Sequence, residues 1–480
     1  MRRTLWPIVA LLVVIGMITA ADINLFGAHA VGQQGAAGTA AKRPASASPE
    51  APARTAGSTV TVEIKNFAFE PAELTVPPGT RVIFVNRDAT PHNVVEGTSK
   101  EVSQRGHHPR FASPELSEGE SWEIVFDEEG AFDYACTVAG HYLMGMTGTI
   151  HVKSGASIEE TAAASEPAAT AAHHEHTGHH AGSDAAGDLA HDMTWTPEGL
   201  AELAPFRVEG GVKEFAIDIR EVQHELVDGV TVTAWAFNGT VPGPLLRVKE
   251  GDRVRVHFTN SHHQPHTIHW HGIYTDQAHD GVPHTSLAVM PGETYVYEFV
   301  AESAGTYMYH CHVDSYRHID MGMYGALVIE PQDGKTWDRE YTFILDDWDS
   351  AVDPLSPRYE PEHDHFLVNG KAFPQLPTLP LKVGETTRVR LINAGYSNVA
   401  MHLHGPHFQV VATDGRPLPQ PYEKDTLDIA PGERYEIEIR PTKAGMYPFH
   451  AHNIQYVRNN GSYPGGMHLM FDIVDGDSAL

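Results

Sequence analysis

One order of signals runs through the chain three times, and this repeat restricts the fold more than any other feature. Each copy opens with an apolar strand, a turn and an alternating strand: LTVPPGTRVIFVN from Leu74, LRVKEGDRVRVHFTN from Leu246 and LKVGETTRVRLIN from Leu381. A His-bearing loop follows, HNV at His92, HTIHWHG at His266 and HLHGPHF at His402. The second half of each copy has a turn, another alternating strand and a Gly-aromatic entry: EGAFDYAC, AGTYMYHC and AGMYPFHA. Each copy closes on Gly-Met and a strand, in GMTGTIHV, GMYGALVI and GMHLMFDIV. Runs of period two separated by turns, in a chain with 43 Gly and 33 Pro, predict an all-β protein of three β-sandwich domains.

Four His-x-His pairs lie in the second and third copies: His269/His271, His310/His312, His402/His404 and His450/His452. Side chains alternate faces along a strand, so the two histidines of each pair point the same way. Imidazole is a leading protein ligand for copper and zinc, and eight in matched pairs exceed what one ion can use. A polynuclear metal cluster is therefore expected. In His310-Cys311-His312 the thiol faces away from both imidazoles, which suits a second, separate metal joined to the cluster through one covalent path.

The first copy supplies His92, Cys136, His141 and Met146, and the second supplies His266, Cys311, His318 and Met323. Two imidazoles, one thiolate and a weak thioether are the donor set of a mononuclear blue copper site. Met146 is preferred to Met144 because Gly145-Met146-x-Gly matches Gly322-Met323-x-Gly. His266 precedes His269 by three residues, an odd offset that puts it on the face opposite the cluster. The third copy has lost this set: Val399 stands at the first His position and Ala451 at the Cys position. Cys136 and Cys311, the only cysteines, are thus read as two parallel metal thiolates and not as a disulfide.

A formal charge of -29 argues against binding nucleic acid, which requires a basic surface. Met1-Arg2-Arg3, the apolar run Leu5 to Ala21 and the small-x-small Ala28-His29-Ala30 point to export. Residues 1–30 are read as a signal peptide, with an uncleaved anchor as the alternative. The expected location is periplasmic, extracellular or anchored to the outer face of a membrane. Residues 31–57 form a tether, 58–153 the first domain, 154–192 a His-rich linker carrying HHEHTGHH, 193–335 the second domain and 336–480 the third.

On these motifs each repeat resembles the cupredoxin Greek-key sandwich. Residues 193–476 resemble a two-domain multicopper oxidase of the laccase-like kind, behind a plastocyanin- or auracyanin-like domain. The resemblance implies two type 1 coppers, one type 2 copper and one type 3 pair, about five ions per chain. By the same resemblance His269 and His402 are the type 2 ligands and the other six paired histidines hold the type 3 pair. Cys311 then conducts electrons from a phenolic, aromatic or protein donor to the site where dioxygen becomes water. Asp280, in HDGVP, matches the family's acidic residue near the type 2 copper; it reads equally as a turn-forming Asp-Gly. Asp276 is a weaker candidate, and the carboxylate that follows the last HxH motif in the family has no match in NIQYVRNN.

Two-domain relatives build each cluster between neighbouring subunits, so a homotrimer is implied. A copper nitrite reductase is the alternative, although the second histidine of each pair would be superfluous to it. An electron carrier or copper-binding protein is the other. His107, His108, His262, His263, His284 and His407 fall in loops and are given surface or supporting roles.

Overall fold

The computed structural model describes residues 58–103, 107–161, 200, 202–332, 334–356 and 359–476. The export segment, the tether and the His-rich HHEHTGHH stretch lie outside the described residues. Six sheets pack in pairs, each pair enclosing a hydrophobic core. In the first pair Thr59–Lys65 lies between Ala68–Glu70 and Thr80–Asn86, and the facing sheet carries Gly130–Ala135 beside Thr147–Val152. Alternate residues of Thr80–Asn86 are buried, as a strand with one face on a core requires.

The same plan recurs twice. Val212–Val227 pairs parallel with Arg253–Asn260, and Arg339–Trp348 pairs parallel with Thr387–Asn393, like Thr59–Lys65 with Thr80–Asn86. The facing sheets run Gly243–Lys249, Tyr324–Glu330, Gly305–His310, His269–His271 and Thr378–Lys382, His468–Val474, Gly445–Ala451, Val399–Leu403. Each pair of His-x-His motifs therefore sits on neighbouring antiparallel strands at one end of a sandwich. His269 is in register with His310, and His402 with His450.

An asparagine braces the same corner of every copy. Asn86 donates to the carbonyls of Thr90 and Leu116, Asn260 to those of Gln264 and Val289, and Asn393 to those of Ser397 and Ile429. Its side-chain oxygen accepts from the amide two residues on, at Asp88, His262 and Gly395. Burying an amide side chain with its donors and acceptor satisfied fixes the loop that delivers His92 and His266.

The second and third sandwiches share a continuous interior, since Ile344, Trp348, Leu367 and Ile392 join the core around Cys311. A charge cluster also spans them, with Arg247, Arg388 and Arg390 facing Glu330, Glu340 and Glu436. Two short helices occur among the described residues, Ser99–Val102 and Ser315–Asp320; the second carries His318. No described helix is long and apolar enough to cross a membrane.

Candidate metal centres

Two donor triangles have nearly the same dimensions. In the first sandwich His92 Nδ1 and His141 Nδ1 are 3.1 Å apart and lie 3.6 and 3.3 Å from Cys136 Sγ. In the second, His266 Nδ1 and His318 Nδ1 are 3.2 Å apart and lie 3.7 and 3.2 Å from Cys311 Sγ. An ion in the plane of two nitrogens at about 2.0 Å and a sulfur at about 2.3 Å would hold them roughly 3.5–3.7 Å apart. Both triangles fit such an ion within a few tenths of an ångström.

The chemistry of the donors fits as well. Both cysteines are free and buried, so no disulfide joins them. Burial pushes each thiol up to about 12, so an incoming cation must displace the proton to gain its thiolate. Burial first, and neighbouring charge second, holds His141, His266 and His318 well below the ordinary imidazole range. These rings are neutral and their lone pairs free to ligate.

The two methionines stand at identical places. The amides of Cys136 and Cys311 donate to Met146 and Met323, whose own amides donate to His141 and His318. Both methionines are buried in the cores beside the sulfurs. Met144 instead packs against the core of the second sandwich. In the third sandwich Val399, Ala451 and Met467 fill the corresponding volume with apolar contacts.

The remote nitrogens are held differently in the two triangles. His92 Nε2 lies 3.0 Å from Asp88 Oδ2, whereas His266 Nε2 lies 2.8 Å from His262 Nδ1. Burial raises Asp88, but its bonds from His92 and from the amides of Phe67 and Asn66 outweigh this and keep it below the usual carboxylate range. Burial lowers His262 to about 3. Of the six loop histidines, His262 is thus buried and supports a ligand, with Trp235 and His263 against its ring.

The paired histidines form two sets of four. His269, His271 and His310 present ligand atoms to one another, and His269 also meets His312 ring to ring. In the third sandwich His404 Nε2 and His450 Nε2 are 3.0 Å apart, with His402 against His404, His450 and His452. Among the described residues no ring of one set touches a ring of the other. His404 and His452 are exposed.

Backbone carbonyls orient these rings, which frees the opposite nitrogen for a metal. His310 and His450 bond through Nδ1 to the carbonyls of Cys311 and Ala451, both at 2.9 Å. His269 Nδ1 bonds to the Asp280 carbonyl at 2.8 Å, with an Asp280 carboxylate oxygen 3.4 Å away. The two readings of Asp280, turn residue and acidic neighbour of His269, are therefore compatible; Asp276 caps the short turn before it.

In the third sandwich the carbonyl of Asp425 holds His402 Nδ1 at 3.0 Å, an equivalent the sequence hides because it sits on a different strand pairing. His468, also missed, lies with its ring 5.5 Å from that of His450.

Gly281 makes the Asp280 turn possible. Its φ is +70°, and an added Cβ would lie 1.9 Å from the carbonyl oxygen of Ile268. Gly281→Ala is expected to cost about 1–3 kcal/mol and to loosen His269. A thermal melt together with bound-copper analysis checks this, with both falling.

Comparison with known proteins agrees with the geometry. The multicopper oxidase family matches residues 218–334 and again 339–465, together just over half of the chain. The copper binding proteins of the plastocyanin/azurin family match residues 56–153. An L-ascorbate oxidase of Nicotiana tabacum is 30% identical over 293 residues, covering 51% of this chain and 50% of its own. Copper resistance protein A of Pseudomonas syringae pv. tomato is 31% identical over 317 residues, covering 54% and 51%. The chain thus spans about half the length of these curated relatives. Among solved structures, blue copper oxidase from Nitrosomonas europaea superposes with a TM-score of 0.53 at 39% identity, covering 55% of this chain and 86% of that one. The oxidase matches fall on the sandwiches bearing the paired histidines and the plastocyanin/azurin match on the one bearing Cys136, so the chain belongs to the multicopper oxidases, with a fused copper-binding cupredoxin domain.

Proposed function

We propose that this protein is a laccase-like oxidase, which takes electrons singly from phenols, aromatic amines or a redox protein and uses four of them to reduce dioxygen to water. The observation that carries the reading is the placement of Cys311. Its sulfur enters the His266–His318 triangle while His310, its chain neighbour, enters the first half-cluster. One residue thereby links a one-electron site to a site with room for several ions.

His92, Cys136, His141 and Met146, and His266, Cys311, His318 and Met323, are the residues that would hold two type 1 coppers. His269 and His402 would hold the type 2 copper, and His271, His310, His312, His404, His450 and His452 the type 3 pair. Copper there supplies electron transfer and dioxygen reduction. Asp280 orients His269 and, as a carboxylate beside it, hands protons inward during water formation.

The two half-clusters meet between subunits of a homotrimer in this reading, the second half of one chain closing the first half of its neighbour. Supporting it are the separation of the two sets within the chain and the open faces of His404 and His452. Large exposed apolar side chains follow both sets, with Tyr274 89% and Ile454 66% accessible, as at surfaces that pair. Export rests on Arg2, Arg3 and the apolar run after them.

Copper analysis with oxygen uptake on the purified protein tests the reading. About five copper ions per chain and oxygen consumption with a phenolic donor are expected. About three ions, with nitrite and not oxygen consumed, would replace it by the reductase alternative.

A further inference from the structure

The two cysteine triangles are copies of one design, so a difference between them at an equivalent position carries information. The bracing asparagines Asn86 and Asn260 fix that equivalence, since each accepts from the residue two places on and precedes the first His ligand by six. The residue so placed is Asp88 in the cupredoxin and His262 in the oxidase domain, and each reaches the remote nitrogen of its ligand. In the third copy, where no triangle exists, it is Gly395. Ligand and supporting residue are lost together.

We propose that this exchange makes the two cysteine sites a polarised relay: Asp88 sets the cupredoxin site at the lower reduction potential, His262 leaves the Cys311 site at the higher, and electrons enter at Cys136. The proposal rests on the oxidase reading above. A carboxylate bonded to the far side of a ligating imidazole raises its donor strength and adds negative charge, both of which favour the cupric over the cuprous state. Asp88 accepts from the amides of Asn66 and Phe67 at 2.8 and 3.0 Å, which is how a protein holds an anion. His262 brings no such charge. Its Nε2 is buried without a partner, and Trp235 lies against its ring.

Among the other charges nearby, Glu221 stands at the Cys311 site alone, its carboxylate within 4.8 Å of ring nitrogens of His262 and His263. It is exposed and screened by solvent, whereas the Asp88 side chain is 15% exposed. Arg317 acts on both His141 and His318. Glu115 acts on Cys136 much as Asp314 acts on Cys311.

The sites are also placed for transfer. Met144, from the ligand loop of the cupredoxin, packs against the core that contains Cys311 and Met323. His141 and His318, carried on the short helical segments Val138–Met144 and Ser315–Asp320, are 3% and 1% exposed. Neither ring is open to a donor in solution, so the direction of transfer rests on the two potentials. Each step moves one electron: the donor is oxidised as the Cys136 site becomes cuprous, and that site returns to cupric as the Cys311 site becomes cuprous. Four such transfers and four protons convert one dioxygen to two waters.

An anaerobic spectroelectrochemical titration of the copper-loaded full chain tests the proposal, with Cys136→Ser and Cys311→Ser used to assign the two thiolate bands. The Cys311 site should be reduced at the higher potential, with an equilibrium constant of at least tenfold for transfer to it, about 59 mV for one electron. Asp88→Asn should raise the potential of the cupredoxin site alone and shrink that constant at least threefold. His262→Asp should lower the Cys311 site alone, which keeps the test open if the first variant fails to load. A higher potential at the cupredoxin site, or potentials unmoved in both variants, would overturn the relay. Because no oxygen is present, these results stand apart from any failure of the oxidase reading itself.

Discussion

Cys311→Ser should abolish oxygen uptake with every donor while leaving the paired histidines intact. Loss of an outer partner of a metal ligand typically costs about 10–100-fold in affinity or activity, and loss of the thiolate should exceed the upper end of that range. The sulfur completes the His266–His318 triangle, and its residue is the chain neighbour of His310. Serine nearly preserves the volume, so the core around Met323 and Trp235 should hold and the chain should remain folded. Copper should fall by about one ion per chain, with one of two thiolate-to-copper bands lost. Oxygen electrode traces and metal analysis on the same sample check both points.

Arg390→Met should be the most destabilising single change outside the metal sites. Arg390 is 1% exposed and bonds Glu436 at 2.6 Å, with Glu330 and Glu340 at 3.3 and 3.4 Å. The cluster holds three arginines against three glutamates across the second and third sandwiches. Removing Arg390 leaves three carboxylates against two arginines, with buried Glu436 keeping Arg388 at 3.4 Å, at a cost of about 3–5 kcal/mol.

The same cluster sets an acid limit. Burial raises Glu340, yet Arg390, Arg388 and Arg247 together hold it down to about 2. A carboxyl depressed in the folded state adds stability that is present above its unfolded value of about 4.5 and is lost as pH falls toward 2. Denaturant melts at pH 7 and pH 3 should show stability falling, by less in Arg390→Met than in the parent.

The repeat was legible because it is written in local chemistry. Alternating strands, Gly turns and His-x-His pairs are short-range patterns, and the sheets place His269 opposite His310 and His402 opposite His450 as parity requires. Supporting contacts were less legible because they join residues distant in sequence. Asp425 reaches His402 only through the pairing of Val399–Leu403 with Thr426–Ile429. His468 approaches His450 through the last strand pair. Asp88 and His262 had a signal, their common spacing from Asn86 and Asn260, but an asparagine before a loop reads as turn chemistry until its brace is seen.

Complementation between chains tests the shared cluster most directly. One variant carries His269→Ala and His271→Ala, the other His402→Ala and His404→Ala, and each alone should consume no oxygen. Co-expressed in equal amounts, they should assemble mixed trimers in which about a quarter of the sites pair an intact first half with an intact second half, restoring oxygen uptake to roughly that fraction. A mixture as inactive as its components would contradict the account, since it would mean that each cluster closes within a single chain.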